Sequence, residues 1–322
     1  MSSIAGELVE LCGRLRDEVS PFLGRHAARQ HAGEAVGGDV TFEIDERAET
    51  LLEQHVAERL PTWAYYSEDR GLQGAADPEL ILIVDPIDGT RPAAAGFESA
   101  CVSIAAVPGM SSPTMDDVQA GVVQELKSGD LYVAERGAGL RMERADRSEI
   151  PLLPSPSTDI ESLFWTLGFR GRPAVMLATV LAELIDGSSV GGGVFDVGSA
   201  TYCITRVLTG QLDAYVDVGP EIIAAHPAAE AEFRRVGRGA VLNNSPYDLA
   251  AVRLLCTEAG IPISGARGES LADRPLLGSG HEYQMACVAS GNADLHEIIL
   301  EVVGRGIDGL TWPSASDGLE AT

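Results

Sequence analysis

Residues 80–90 read Leu80-Ile81-Leu82-Ile83-Val84-Asp85-Pro86-Ile87-Asp88-Gly89-Thr90, an unbroken apolar run followed by two carboxylates three residues apart. Such a run, ended by a turn, predicts a strand that is buried on both faces. The proline constrains the turn, so we expect both carboxylates to face one point. Mg²⁺ prefers oxygen ligands, and this turn offers carboxylate, carbonyl and hydroxyl oxygens. The alternative is an ordinary capped surface turn, because Asp, Pro and Gly are common turn residues.

Other acidic residues stand at comparable places in the chain. Glu68 and Asp69 end the preceding predicted strand, Asp45 follows Asp39-Val40-Thr41, and Asp248 lies in the first turn of a later predicted helix. Gly89 would let a ligand approach the backbone closely, where amides can bind an anion. A phosphate dianion cannot lie among several carboxylates unless cations intervene. These residues together indicate a metal-dependent phosphate site.

The first half of the chain is predicted to be helices laid on a largely antiparallel sheet. Apolar residues at intervals of three and four predict a helix over residues 3–28 and a second one that stops at Pro61. The predicted strands are 63–67, 80–84, 99–107, 118–126 and 131–134. We therefore expect residues 1–150 to form an α+β half that carries most of the metal ligands.

The second half, residues 151–322, alternates between the two kinds of element. The predicted elements are a strand at 161–168, helices at 173–185 and 199–209, a strand at 212–218, a helix from Pro246 to Gly260 and a last helix after Asn292. This order is typical of an α/β arrangement. We expect this half to supply substrate contacts and the last metal-binding aspartate.

Composition excludes several classes of function. The formal charge of −25, with Lys127 as the single lysine, repels nucleic acid. Apolar runs fall short of the roughly 18 to 20 residues of a membrane helix, and the N-terminus lacks the order of a secretory signal. Five dispersed cysteines indicate neither a zinc knuckle nor a disulfide framework. We expect a cytoplasmic protein with no nucleic-acid or membrane partner.

Taken together, these motifs resemble those of the inositol monophosphatase family, which has a D-P-[IL]-D-G-T segment, an upstream acidic pair and a distant W-D-x-A-A-like helix start. The matching segments are Gly38-Asp39-Val40-Thr41 with Asp45, Ser67-Glu68-Asp69, Asp85 to Thr90, Gly198-Ser199-Ala200, Leu212-Asp213-Ala214-Tyr215, Tyr247-Asp248-Leu249-Ala250-Ala251 and Ala289-Ser290-Gly291-Asn292. The resemblance implies a layered αβαβα sandwich of the inositol monophosphatase and fructose-1,6-bisphosphatase type. It also implies a homodimer and a lithium-sensitive phosphatase with two or three Mg²⁺ ions in each site.

The resemblance also assigns roles to residues. It implies that Glu68, Asp85 and the carbonyl of Ile87 hold one Mg²⁺, and that Asp85, Asp88 and Asp248 hold a second. Thr90, oriented by Asp45, would help Glu68 to activate a water. The implied substrate contacts are the amides of Gly89 and Thr90, together with Asp88, Gly198, Ser199, Ala200, Asp217 and Asp248.

Some features depart from the family pattern. Arg91-Pro92 stands where many relatives have Thr or Ser followed by Asn and Phe, and Arg91 is either an added phosphate ligand or a surface side chain. Asp69 replaces a second glutamate. The extra segment 219–241 supplies either cations for a second phosphate or a solvated helix and loop.

The expected activity is hydrolysis of an inositol phosphate or a related small sugar phosphate by a metal-activated water. Fructose-1,6-bisphosphatase, histidinol-phosphatase and 3'(2'),5'-bisphosphate nucleotidase are alternatives on the same fold. An alternative of another class is a catalytically degenerate module that binds metal and a phosphorylated ligand. The intact acidic set argues against the module.

Overall fold

The structure is a computed structural model that describes residues 3–25, 31–34 and 40–312. Its helices are α1 (Ile4–Val19), α2 (Glu43–Arg59), α3 (Thr90–Ala95), α4 (Ala174–Val180), α5 (Ala182–Gly187), α6 (Ala200–Leu208), α7 (Gly219–Ala225), α8 (Glu230–Val236), α9 (Pro246–Ala259) and α10 (Ala293–Asp308). Its strands are β1 (His31–Glu34), β2 (Val40–Phe42), β3 (Ala64–Ser67), β4 (Gly71–Gly74), β5 (Leu80–Asp88), β6 (Cys101–Pro108), β7 (Ala120–Glu125), β8 (Leu131–Glu135), β9 (Gly139–Glu143), β10 (Phe164–Leu167), β11 (Gly193–Phe195), β12 (Ala214–Asp217), β13 (Ile263–Ser264) and β14 (Cys287–Ser290).

A seven-stranded sheet forms the first half, in the order β4-β3-β5-β6-β7-β8-β9. Its neighbours run antiparallel except for β3 and β5, which are parallel. Helices α1 and α2 pack on one face, where Leu8, Leu11 and Leu15 of α1 enter the core. The apolar stripe of α1 therefore finds the partner that its spacing requires.

A five-stranded sheet forms the second half, in the order β11-β10-β12-β14-β13. Helices α4, α5 and α10 contact one another and cover its outer side, with α10 lying on β14. Helices α6 and α9 lie between the two sheets and contact strands of both. The layers are therefore α, β, α, β and α, which confirms the expected sandwich.

The two halves share one of the buried cores. In that core Ile83 of β5 and Val123 of β7 belong to the same apolar cluster as Ile204 of α6 and Leu254 of α9. Helix α9 packs so closely on the first sheet that a Cβ on Gly121 would lie 3.1 Å from the carbonyl oxygen of Ala251. The boundary near residue 150 stays a prediction, because the packing crosses it.

Among the differences between observed and predicted element boundaries, three have a clear local description. Helix α1 ends at Val19 instead of extending to residue 28, because Pro21 has no amide to continue the helical hydrogen bonds. The predicted helix 173–185 is two helices, separated where Leu181 leaves helical geometry (φ −100°, ψ 9°). Strand β5 extends beyond Val84 to Asp88.

Among the described residues, no helix combines the length and apolar character needed to cross a bilayer.

Candidate active site

A bulge at the end of β5 presents the two carboxylates of the turn. Asp85 pairs with Ser103 and Asp88 with Cys101, so one extra residue stands on β5 between the two pairs. Pro86 has no amide hydrogen to donate to the strand ladder. It lies within the bulge, and bulges are among the places where sheets tolerate proline. The amide of Ile87 donates to Asp85 Oδ1 (2.9 Å). Both aspartates are almost fully buried and line one cavity.

Asp248 reaches the same cavity from the second half. It lies in the first turn of α9, where its Oδ2 accepts the amide of Ser245 (2.6 Å). Carboxylate oxygens of Asp85, Asp88 and Asp248 lie within 4.8 Å of one another. Packing of α9 on the first sheet therefore completes a three-carboxylate cluster.

Glu68 lines this cavity as well, from the residue after β3. Since β3 and β5 are parallel neighbours, with Ser67 opposite Val84, their carboxyl ends meet at one edge of the sheet. The sequence placed acidic residues after both strands, and parallel pairing brings them together.

The electrostatics of the cluster favour a bound cation. Burial, followed by the charges of Glu68, Asp88 and Asp248, raises the pKa of Asp85 well above its usual range. Burial and the charge of Asp88 raise the pKa of Asp248 to about 7. Several buried carboxylates that repel one another, with a backbone carbonyl beside them, are the donor set of a hard divalent cation. The residues therefore fit a metal site.

The cavity has a volume of about 380 Å³, which is within the range of small-molecule sites. Gly89 and Thr90 line it where β5 turns into α3. Gly89 has φ +93°, and a Cβ there would lie 2.5 Å from the carbonyl oxygen of Ser99. Only glycine fits this turn, and the predicted use of its amide as a phosphate donor stays a prediction.

Thr90 and Asp45 have identified hydrogen bonds to other residues. Thr90 Oγ1 donates to the carbonyl oxygen of Ile87 (3.1 Å). Asp45 Oδ2 accepts the amide of Phe42 (2.8 Å) at the start of α2. Orientation of Thr90 by Asp45 stays a prediction. Asp39, which the motif comparison placed next to this segment, lies outside the described residues.

The Gly198-Ser199-Ala200 segment adjoins the acidic cluster. Gly198 lines the cavity, and Ala200 lines a smaller cavity beside it. Ser199 Oγ donates to Asp88 Oδ2 (2.8 Å), which also accepts the amide of Thr201 (2.6 Å). Ser199 therefore holds Asp88 in place, and its predicted contact with substrate stays a prediction.

Asp217 is paired with an arginine inside the second half of the protein. Its side chain is fully buried and lines neither cavity, because its carboxylate forms a two-point ion pair with Arg172. The amide of Gly219 also donates to Asp217 Oδ1 (3.1 Å). Asp217 therefore lies behind Arg172, and its predicted contact with substrate stays a prediction.

Besides the acidic cluster, the cavity wall contains three charged residues: Arg91, Arg170 and Asp196. Arg91 is half-buried, lines the cavity and has its guanidinium 5.3 Å from the centre of the Phe42 ring. Arg170 and Asp196 line both the large cavity and the smaller one, and sequence analysis missed them. Arg170 follows a predicted strand, and ligands commonly bind at the carboxyl ends of strands in α/β sheets, so this signal was available.

The extra segment 219–241 forms α7 and α8. Arg234 and Arg235 donate to Glu230 and Glu232 on the same helix (2.7 Å each), and Phe233 is buried. The described residues that line the large cavity come from outside this segment. These contacts favour a solvated helix over a set of cations for a second phosphate.

Comparison with known proteins gives a consistent result. The family model described as "Inositol monophosphatase family" matches residues 3–304. An inositol-1-monophosphatase from Synechocystis is 28% identical over 260 residues, which cover 80% of this chain and 84% of that protein. A fructose-1,6-bisphosphatase/inositol-1-monophosphatase from Methanothermobacter thermautotrophicus is 23% identical, with coverage of 92% and 95%. A Nus factor SuhB from Xylella fastidiosa is 27% identical, with coverage of 74% and 72%.

Solved structures share the fold. The extragenic suppressor protein SuhB from Bartonella henselae superimposes with a TM-score of 0.70 at 20% identity, covering 95% of this chain and 100% of that one. An IMPase from Thermotoga maritima gives a TM-score of 0.66 at 18% identity, with coverage of 94% and 96%.

Proposed function

Since the chain belongs to the inositol monophosphatase family and is a phosphoric monoester hydrolase, we propose that it is a magnesium-dependent enzyme that hydrolyses inositol monophosphate or a related small sugar phosphate. The observation that carries the proposal is the cluster of Asp85, Asp88 and Asp248, whose oxygens lie within 4.8 Å of one another. A cavity of about 380 Å³ adjoins this cluster and has room for a small phosphate ester.

The cations would be held by residues of both halves. Glu68, Asp85 and the carbonyl oxygen of Ile87 would hold one Mg²⁺, and Asp85, Asp88 and Asp248 a second. When bound, such ions lower the pKa of a coordinated water and neutralise charge on the phosphoryl and leaving oxygens.

The protein groups would act on the water and on the ester. Glu68, with Thr90 and Asp45, would accept a proton from the attacking water. The water oxygen then forms a bond to phosphorus while the bond from phosphorus to the leaving oxygen breaks, and the leaving alkoxide takes up a proton from solvent to become the alcohol. The amides of Gly89 and Thr90 would bind the phosphoryl oxygens. No covalent phosphoenzyme is needed.

A substrate panel tests this proposal. Wild-type protein with Mg²⁺ is assayed for phosphate release from inositol 1-phosphate, fructose 1,6-bisphosphate, histidinol phosphate and 3'-phosphoadenosine 5'-phosphate. Turnover of at least one ester, lost with chelator and reduced by Li⁺, is expected. Binding of the esters with turnover of none would instead favour the metal and phosphate-ligand binding module.

We further propose that the protein works in the cytoplasm as a homodimer. The family resemblance supports both proposals, and light scattering in solution tests the second. A mass of about one chain, 33.9 kDa, would contradict the dimer.

A further inference from the structure

The loop between β10 and α4 contains two arginines close to the large cavity. It reads Gly168-Phe169-Arg170-Gly171-Arg172-Pro173, and we refer to residues 168–173 as the arginine loop. One of its arginines is buried and the other is exposed. Arg172 is 7% exposed, whereas Arg170 lies in the wall of the cavity.

Arg172 anchors the loop to the second sheet. Its Nε donates to Asp217 Oδ1 (3.1 Å) and its Nη2 donates to Asp217 Oδ2. The accepting carboxylate lies on β12 and is fully buried. Its Nη1 donates to the carbonyl oxygen of Arg170 (2.6 Å). A bidentate buried pair of this kind has a fixed geometry. The backbone of Arg170 is therefore attached to a rigid strand.

The glycines of the loop restrict it further. The amide of Gly168 donates to the carbonyl oxygen of Val216 (3.0 Å), and a Cβ on Gly168 would lie 2.5 Å from the Asp217 carboxylate. Gly171 has φ +74°, a conformation that favours glycine. Close packing at Gly168 and the backbone conformation of Gly171 thus fix the position of the Arg170 backbone between them.

The side chain of Arg170 lies at the junction of two cavities. It lines the large cavity that holds the acidic cluster and also the adjoining smaller cavity of about 60 Å³. Burial raises the pKa of Asp88, Asp248 and Asp196, and the positive charge of Arg170 opposes that rise at each of them. Arg170 is therefore near the reacting end of the site, although it belongs to an element that carries none of the proposed metal ligands.

The chemistry of the wall points to the class of ligand. The carboxylates at one end of the cavity would be neutralised by cations, which in turn hold the phosphoryl group that is transferred. Arg170 offers a planar fork of donors that matches carboxylate or phosphate oxygens.

Resting on the proposed function, we propose that Arg170, positioned by the buried pair of Arg172 and Asp217, binds a second anionic group on the substrate. The preferred substrates are then phosphate monoesters whose alcohol carries a carboxylate or a further phosphate. Arg170 is a specificity-determining residue of this site.

Two matched pairs of esters test the inference. Glycerol 2-phosphate and 2-phosphoglycerate differ in one carboxylate, and inositol 1-phosphate and inositol 1,4-bisphosphate differ in one phosphate. Wild-type kcat/KM is expected to favour the more anionic member of at least one pair by about tenfold or more, the usual value of a hydrogen-bonded charge contact. The pair that shows the preference identifies the anion as carboxylate or phosphate.

Arg170→Ala is expected to abolish that preference, chiefly through KM, because kcat/KM falls more for the more anionic member of the pair than for the less anionic one. Arg170→Lys should keep part of the preference because the charge remains. Arg305→Ala, at an exposed arginine on α10, is the matched control and should leave both values unchanged.

Three results would overturn the inference: no preference in the wild type, an equal loss for both members of a pair in Arg170→Ala, or loss of the preference in Arg91→Ala alone. The proposed function fails differently, by absence of turnover of all four esters in the wild type.

Discussion

Asp88 lines the cavity and is held by the protein through one carboxylate oxygen. Its Oδ2 accepts the hydroxyl of Ser199 and the amide of Thr201. Asp88→Asn keeps the shape but removes a charge from the proposed metal site. We expect kcat at limiting Mg²⁺ to fall by more than about a hundredfold. Replacing a residue that only hydrogen-bonds to a metal ligand typically costs less than that.

Steady-state phosphate release at several Mg²⁺ concentrations measures this effect. Asp186→Asn, at an exposed position on α5, is the matched control. Normal turnover of Asp88→Asn at limiting Mg²⁺ would show that Asp88 is not a metal ligand.

Asp248 makes Mg²⁺ binding depend on pH. Its pKa is about 7 in the metal-free protein, so its carboxyl group is mostly protonated below that pH and must lose the proton to bind a cation. Apparent Mg²⁺ affinity should therefore rise by about tenfold or more between pH 6 and pH 8. Calorimetry at both pH values, in buffers of different ionisation enthalpy, measures the affinity and the released protons. An affinity that is the same at both values would contradict this account.

The turn from β5 into α3 depends on Gly89. A methyl group there would meet the carbonyl oxygen of Ser99 at 2.5 Å, at a φ of +93°. Gly89→Ala should lower the free energy of unfolding by about 1–3 kcal/mol and reduce kcat by more than about tenfold. Urea unfolding and phosphate release measure the two effects.

Gly137→Ala is the control for Gly89→Ala, because Gly137 also has a positive φ (+75°) but has open space around it. Equal changes in the free energy of unfolding and equal kcat values for the two variants would show that close packing at Gly89 affects neither stability nor activity.

Helix α2 carries a buried glutamate, Glu49, that the sequence did not single out. Glu49 contacts the turn on which Glu68 lies. Glu49 is 1% exposed, and it accepts the hydroxyl of Ser67 (2.9 Å) and the amide of Asp69 (3.4 Å). Burial raises its pKa to about 7, from about 4.5 for an ordinary glutamate. The folded protein therefore holds a proton that the unfolded chain releases between these pH values.

Stability must then fall as pH rises from about 4.5 to 7, because the folded state binds more protons than the unfolded state. Glu49→Gln removes the pH-dependent contribution of this carboxyl group to the free energy of unfolding. The difference in that free energy, variant minus wild type, should therefore be about 2 kcal/mol larger at pH 8 than at pH 5. Urea unfolding in chelator at both pH values measures it. Glu58→Gln, exposed on the same helix, should show no such change, and a pH-independent difference for Glu49→Gln would refute the assignment.

A buried ion pair joins the two halves of the protein. Arg206 of α6 donates to Glu125 of β7 and to the hydroxyl of Tyr132 on β8. Arg206→Met would leave Glu125, which is 3% exposed, without its cation. We expect a loss of about 3 kcal/mol in the free energy of unfolding, part of which the added change Glu125→Gln restores.

Denaturant unfolding, followed by circular dichroism and by tryptophan fluorescence, measures the effect of Arg206→Met. One shared transition that moves as a unit is expected, because the core between the sheets contains residues of both halves. Two transitions, of which only one moves, would contradict a shared core.

Much of the fold could be predicted because its signals are local. The apolar run 80–84 predicted a buried strand, Ser245 before Pro246 predicted a helix start, and Asn292 preceded the last helix. The bulge at Pro86 and the early end of α1 at Pro21 are also local effects, but propensity alone does not specify how a proline is accommodated.

Spacing and residue type along short stretches of chain predicted the acidic turn and most of the helices and strands, whereas the layered fold was expected from the resemblance to the inositol monophosphatase family. The resemblance also predicted that Asp248 meets Asp85 and Asp88, whereas the pairing of Asp217 with Arg172 and the place of Arg170 in the cavity wall are visible only in the folded chain. The physical reason is that these contacts join residues far apart in the chain. Their distances depend on how α9 and the second sheet pack against the first, which no local pattern encodes.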